Sequence, residues 1–152
     1  MLFQVRSIGT VRSSRVEVLD DTWDRESCYI ELDDDVPSES LVGLDTFSHV
    51  EVVCIADRAI DVPPAPWVRH PRGNTNWPAV GIFANRNKDR PNRILLSIAR
   101  VIEVQPRCVV LSGLDAIDGT PVLDIKPVFA WSGPRGETRF APWSDELGEN
   151  YF

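Results

Sequence analysis

The sequence predicts a mainly β fold: a small antiparallel β-barrel with a long proline-rich loop and one or two short helices. Three observations predict it. Six segments are rich in β-branched and aromatic residues, the composition of strands. Turn signals separate them at short intervals. No two glycines stand in a GxG arrangement, so neither a dinucleotide fingerprint nor a P-loop is present, which argues against a doubly wound α/β fold. A chain of 152 residues fits one domain, taken here as 1–152. At that size roughly 70% of the unfolded surface can be buried without disulfide staples.

The elements follow in chain order. "FQVRSIGTVRS", residues 3–13, reads as the first strand and "SCYIEL", 27–32, as the second. "SESLVGL" reads as a short helix with Ser38 as its N-cap and Gly43 near its end. "HVEVVCIA" from His49 is the third strand. Between Asp61 and Pro78 stand Pro63, Pro64, Pro66, Pro71 and Pro78, so this stretch is a long loop, functional or mobile. "RILLSIARVIEV" fits a strand or a helix by periodicity. The break at Gln105-Pro106-Arg107 and the following "CVVLSGL" favour a hairpin of two strands. Asp118-Gly119 is a turn, Pro121 opens the last strand and Pro127 closes it. "SDELGENYF" makes a further brief turn.

Charged residues are 26% and hydrophobic residues 43%, as in soluble globular proteins. No apolar run reaches the ~20 residues of a membrane span, and the N-terminus lacks a signal peptide's basic head and apolar middle. Cys28, Cys54 and Cys108 form no CxxC pair and are odd in number, so they read as reduced, buried thiols of a cytoplasmic protein. With two histidines and no matched cysteines, no zinc site is expected. The net charge of −7 disfavours bare nucleic acid as a partner unless a local basic patch overrides it.

Three places carry candidate chemistry. In "PVLDIKP", alternation puts Val122, Asp124 and Lys126 on one side and Leu123 and Ile125 on the other, with Leu123 and Ile125 in the core. Asp124 and Lys126 are then either a surface ion pair or a reactive pair, since an unpaired buried charge is too costly. Asp118 is a turn residue, and Asp115 is structural or functional. "GIFANRNKDRPNR" sets Arg86, Lys88, Arg90 and Arg93 against Asp89: a solvated basic turn, or a clamp for carboxylate or phosphate. His70, in "RHPRG", is exposed or a proton shuttle; His49 is a hydrogen-bonded strand residue or a base.

Four stretches together, "SIGTVRSS", "FSHVEVV", "GIFANRNKDRPNRILLS" and "GLDAIDGTPVLDIKP", resemble the successive motifs of the TrmO-type methyltransferases across residues 7–128. That resemblance implies a β-barrel binding S-adenosylmethionine and a homodimer with the cofactor near the subunit interface. It implies methylation at N6 of threonylcarbamoyl-adenosine in tRNA. By position it implies that Arg86, Leu96, Ser112, Gly113, Leu114 and Asp115 contact the cofactor, with Arg58, Ala59 and Trp23 (beside Asp21 and Thr22) as further contacts. Arg72, Lys88, Arg90 and Asn92 are then expected to face the acceptor. Asp124, supported by Lys126, and His49 are the candidates for removing its proton. The family's arginine motif is altered here at Asn85, Asn87, Lys88, Arg93 and Leu95, and its "DIKPY" ends in Val128. Alternatives are a small-molecule methyl acceptor and an S-adenosylmethionine-binding module without turnover.

Overall fold

The computed structural model describes residues 1–60, 63 and 65–152. Among the described residues there are eight strands: β1 (Gly9–Ser13), β2 (Cys28–Leu32), β3 (His49–Ile55), β4 (Val68–Arg69), β5 (Val80–Gly81), β6 (Ile94–Gln105), β7 (Cys108–Ser112) and β8 (Pro121–Pro127). Among the same residues one α-helix, α1 (Pro142–Gly148), accompanies several 3-10 turns. Six strands close an antiparallel barrel in the order β1-β2-β7-β6-β3-β8, and β4 and β5 form a separate two-stranded sheet.

Alternation builds the core. In β2 the burial runs buried-exposed-buried-exposed-buried, so Cys28, Ile30 and Leu32 point inward. They meet Val11, Val50, Val52, Cys54, Ala99, Val109, Leu111 and Val122. These side chains leave water for one another, and that transfer is the main force closing the barrel. Gly9 allows β1 to sit close on β2, because a Cβ there would lie 2.5 Å from the Glu31 carbonyl oxygen.

The hairpin across Pro106-Arg107 joins β6 and β7 as expected, with Gln105 opposite Cys108. Elsewhere the structure corrects the sequence reading. β1 begins at Gly9, and Phe3 stays exposed. The 3-10 turn Ser38–Leu41 is capped by Pro37, and Ser38 makes no cap bond. "SDELGENYF" contributes to a helix that begins earlier, at Pro142. The proline-rich stretch is not wholly loop, since it carries β4, which pairs with β5 just beyond it, and a 3-10 turn at Pro71–Gly73. Asp61 and Pro64 of that stretch lie outside the described residues.

The Asp118-Gly119 turn forms, but it does not join a hairpin. β7 and β8 are not neighbours, so residues 113–120 cross the barrel end. Two-residue alternation also fails in β8. Val53 pairs with Asp124 and Cys54 with Val122, which leaves Leu123 as a bulge. The extra residue flips the parity. Val122 and Ile125 therefore pack on the core, Leu123 stays outside it, and Asp124 joins Lys126 on the outer face.

Candidate functional site

β6 has 12 residues, but only Arg100–Gln105 pair with β7. Residues 94–99 pair with β3 alone. Beyond Ser112, Gly113 takes φ +75°, a left-handed conformation that glycine adopts without a Cβ penalty, and the chain leaves the sheet. The barrel wall parts at this point, between the first half of β6 and the crossover.

Asp115 spans the gap. The Ser97 hydroxyl donates to its Oδ1, and the Tyr151 hydroxyl donates to its Oδ2. Arg86 reaches the same strand from outside, its Nη2 donating to the Leu96 carbonyl at 2.5 Å. A guanidinium and a carboxylate therefore meet at adjacent residues of one strand, each with hydrogen-bonding capacity left over.

A second layer frames this gap. Arg15 is buried, and its guanidinium lies 4.1 Å from the centroid of the Trp23 ring. It donates to the carbonyls of Leu19 (3.3 Å), Asp21 (2.8 Å) and Thr22 (3.0 Å), and pairs with Glu26 at 3.0 Å. That cluster folds residues 15–26 into a compact loop, with Thr22 at φ +62°. Trp23 is buried there, and its Nε1 has no hydrogen-bond partner among the described residues. Arg72 binds Asp21 with both nitrogens, at 3.1 and 2.6 Å, tying the proline-rich stretch to the same loop. The segment Asn150–Phe152 closes against it: Thr22 N–H donates to the Asn150 carbonyl and Trp23 N–H to that of Tyr151. The Phe152 ring lies 3.9 Å from where a Cβ on Gly113 would stand.

Residues 17–132 match the family described as the tRNA-methyltransferase O N-terminal domain. The chain belongs to that family. It is 43% identical over 94 residues to a mouse tRNA (adenine(37)-N6)-methyltransferase, covering 62% of this chain and 21% of that protein. It is 30% identical over 155 residues to a probable S-adenosyl-L-methionine-binding protein of Archaeoglobus fulgidus, covering 96% of this chain and 39% of that one. The crystal structure of TrmO from Pseudomonas aeruginosa superposes with a TM-score of 0.76 at 30% identity, over 94% of this chain and 62% of that one. The chain thus spans about a fifth of the mouse relative's length.

Within the TrmO-type barrel the candidate residues divide into groups. Arg86, Leu96, Gly113, Asp115 and Trp23 gather around the parted wall, through the contacts above. Ser112 stands where the β6–β7 pairing ends. The Leu114 side chain is in the core, so only its backbone is left for a ligand. Ala59 is likewise buried. Arg58 is spent on the carbonyls of Val16 (3.1 Å) and Asp118 (3.0 Å). Asp118 itself is a turn residue, accepting from Ser13 N–H at 3.1 Å.

The acceptor-facing group is not gathered. Arg72 is held by Asp21. Arg90 turns inward to the carbonyls of Ile82 (3.2 Å) and Asn85 (2.5 Å), and Arg93 is buried. Lys88 and Asn92 are exposed. The basic island is therefore smaller than its sequence suggested, with Arg86 and Lys88 as its outward cations.

The three candidate proton acceptors stand apart from Asp115 within one subunit. Asp124 and Lys126 form an ion pair at 2.5 Å on the outer face, whereas Ser97, which holds Asp115, shares the inner-facing row with Val52. Asp124 holds the Lys126 ammonium above its usual range by hydrogen bond and charge. His49 is exposed, bonds Ser48 at 2.9 Å, and lies three rows down β3, about 10 Å by strand rise. The other histidine, His70, is half-buried, with Nδ1 2.6 Å from the Trp77 carbonyl oxygen.

Tyr151, Ser97 and Arg15 were missed by sequence reasoning. Tyr151 is 36 positions from Asp115, and no local pattern marks the pairing. Burial first, then the Asp115 charge, pushes its phenol well above the ordinary range, while Arg86 opposes this. Cys54 lies close as well: burial and Asp115 push its thiol up to about 12. All three cysteines are free, and Cys108 is only partly buried, contrary to expectation, because it sits in the first row of β7 beside the turn. A cleft of about 850 Å³ opens elsewhere, on the outer face of β1, β2 and β7, lined by Arg12, Tyr29, Glu31 and Arg107 among others. It includes none of the candidate residues. Among the described residues no helix is long and apolar enough to cross a membrane.

Proposed function

We propose that this chain is an S-adenosylmethionine-dependent methyltransferase, one β-barrel domain over residues 1–152, that methylates N6 of threonylcarbamoyl-adenosine in tRNA. The observation that carries the reading is the meeting of Arg86 and Asp115 on Leu96 and Ser97, in a chain of the TrmO N-terminal family. The residues fit the cofactor: a guanidinium for a carboxylate, a carboxylate for ribose hydroxyls, an unpartnered indole donor at Trp23, and the backbone of Ser112 and Gly113 for an adenine edge. When bound, the sulfonium supplies an activated methyl group. The protein's part is to hold the acceptor in line, and positioning of this kind is worth several kcal/mol. The exposed Arg86 and Lys88 suit phosphate contact.

The same reading includes a homodimer. Ile94, Leu96, Ile98 and Ile102 leave an exposed apolar row on the outer face of β6. Exposed apolar patches mark interaction surfaces. Leu96, Val53 and Asp124 share one outward row across β6, β3 and β8. Pairing two such faces carries Asp124 and Lys126 toward the partner's site, which is where we assign their role in taking the acceptor proton. Three free cysteines suit a reducing, cytoplasmic compartment.

The test is incubation with methyl-labelled cofactor and fractionated cell extract, followed by digestion of the RNA pool to nucleosides. Label in a modified adenosine of tRNA is expected. Label confined to small molecules overturns the tRNA assignment and supports a second reading, a small-molecule acceptor. The net charge of −7 and the inward-turned Arg90 and Arg93 favour that alternative.

A further inference from the structure

Asp115 is held from two sides by two different elements. Ser97 belongs to β6, inside the barrel wall. Tyr151 belongs to the segment that follows α1, and nothing in residues 17–132, the part that matches the family, supplies its hydroxyl. The segment is anchored along its length. Trp77 Nε1 donates to Glu146 at 2.7 Å, and the Trp77 and Trp143 rings lie 6.2 Å apart. Thr22 and Trp23 N–H groups take the Asn150 and Tyr151 carbonyls at 2.9 and 3.0 Å. The segment that carries the phenol is thus held by four contacts besides the one to Asp115.

A carboxylate has about four lone-pair sites. Ser97 takes one on Oδ1 and Tyr151 takes one on Oδ2. Together they fix the plane of the group and leave one site open on each oxygen. Two open acceptor sites on one plane match a vicinal diol, which offers two hydroxyl donors. Without Tyr151 the carboxylate is held at one oxygen only and can turn about its bond to Cβ. Arg86 bonds Leu96 and Asp115 accepts from Ser97, the next residue of the strand, so the diol-binding end and the guanidinium belong to one site.

We propose that Tyr151 is a positioning residue of the cofactor site, holding Asp115 so that its two free lone pairs accept the 2′- and 3′-hydroxyls of the ribose of a nucleoside sulfonium. The inference rests on the reading of this site as the S-adenosylmethionine site. Tyr151 acts through Asp115 and does not touch the methyl group.

The experiment uses the whole chain, calorimetry, and two ligands: S-adenosylhomocysteine and its 2′-deoxy analogue. Tyr151→Phe keeps the ring and removes only the hydroxyl. It should weaken S-adenosylhomocysteine roughly tenfold, the scale of a lost hydrogen bond to a charged group. The 2′-deoxy analogue should lose clearly less, roughly threefold, because one of the two interactions that Tyr151 supports is already missing. Asp115→Asn should give the same pattern, and thermal melting should show both variants folded. Equal loss for both ligands, or no loss for either, overturns the inference while leaving the cofactor reading intact. No binding of either ligand to the unaltered chain overturns the cofactor reading, and this inference with it.

Discussion

The guanidinium of Arg15 lies 4.1 Å above the ring of Trp23 and at the same time holds three carbonyls of the loop that carries Trp23. One side chain therefore shapes the backbone and packs the indole. Arg15→Ala leaves the carbonyls of Leu19, Asp21 and Thr22 without this donor, the last two in half-buried residues. The expected cost is about 2–4 kcal/mol, from several partly compensated groups. Urea unfolding measures it, and a change under about 1 kcal/mol would sink the assignment.

Glu26 joins the same cluster. The Ser14 hydroxyl, then Arg15, lower its carboxyl below the ordinary value of 4.5. A lowered pKa means that the folded state favours the charged form. The contribution is present above the unfolded value and fades as pH falls through it and below. The protection factors of the Thr22 and Trp23 amides, with the intrinsic pH dependence of exchange divided out, should therefore fall between pH 5 and pH 3, these being about the bounds of carboxylate titration. Glu26→Gln should flatten that pH dependence; a variant that keeps it would exclude Glu26 as its source.

Arg86 donates outward to the β6 edge and fixes no core contact. Arg86→Ala should leave thermal stability nearly unchanged and weaken cofactor binding about tenfold, as loss of a charge-assisted bond does. Arg86→Lys should recover only part of it, because an ammonium lacks the planar fork. Unchanged affinity in Arg86→Ala by calorimetry refutes the role.

Ile98 is central in the exposed row of β6, with Leu96 on one side and Ile102 beyond Arg100 on the other. Ile98→Glu should convert a dimer to a monomer in sedimentation while far-ultraviolet dichroism stays the same. A monomeric parent protein would remove the proposed interface.

The thiols should separate by depth. Burial pushes Cys28 up to about 11 and Cys54 up to about 12. Cys108 is more exposed. At pH 8, roughly the range where an ordinary thiol begins to ionise, an alkylating reagent should label Cys108 first. Cys28 and Cys54 should react only in denaturant. Peptide mass mapping that found Cys54 labelled first would contradict the inward face of β3.

The amino-acid sequence determined the strands of the barrel and the family, because both are local. Alternation in "CYIEL" and "HVEVVCI" is written residue by residue and marks an inner face, and "DGTPVLDIKP" is a contiguous motif. The bulge at Leu123 was not legible. An extra residue in β8 is defined only by what Val53 and Cys54 pair with across the sheet, and it reversed the faces assigned to Val122 and Leu123. The basic island was legible as composition, yet only packing turned Arg90 and Arg93 inward. Asp115 stood out as a candidate in the chain; its partners Ser97 and Tyr151 did not. They are 18 and 36 positions away. Contacts over such separations are chosen by closure of the barrel and docking of the segment after α1, and that choice belongs to tertiary structure.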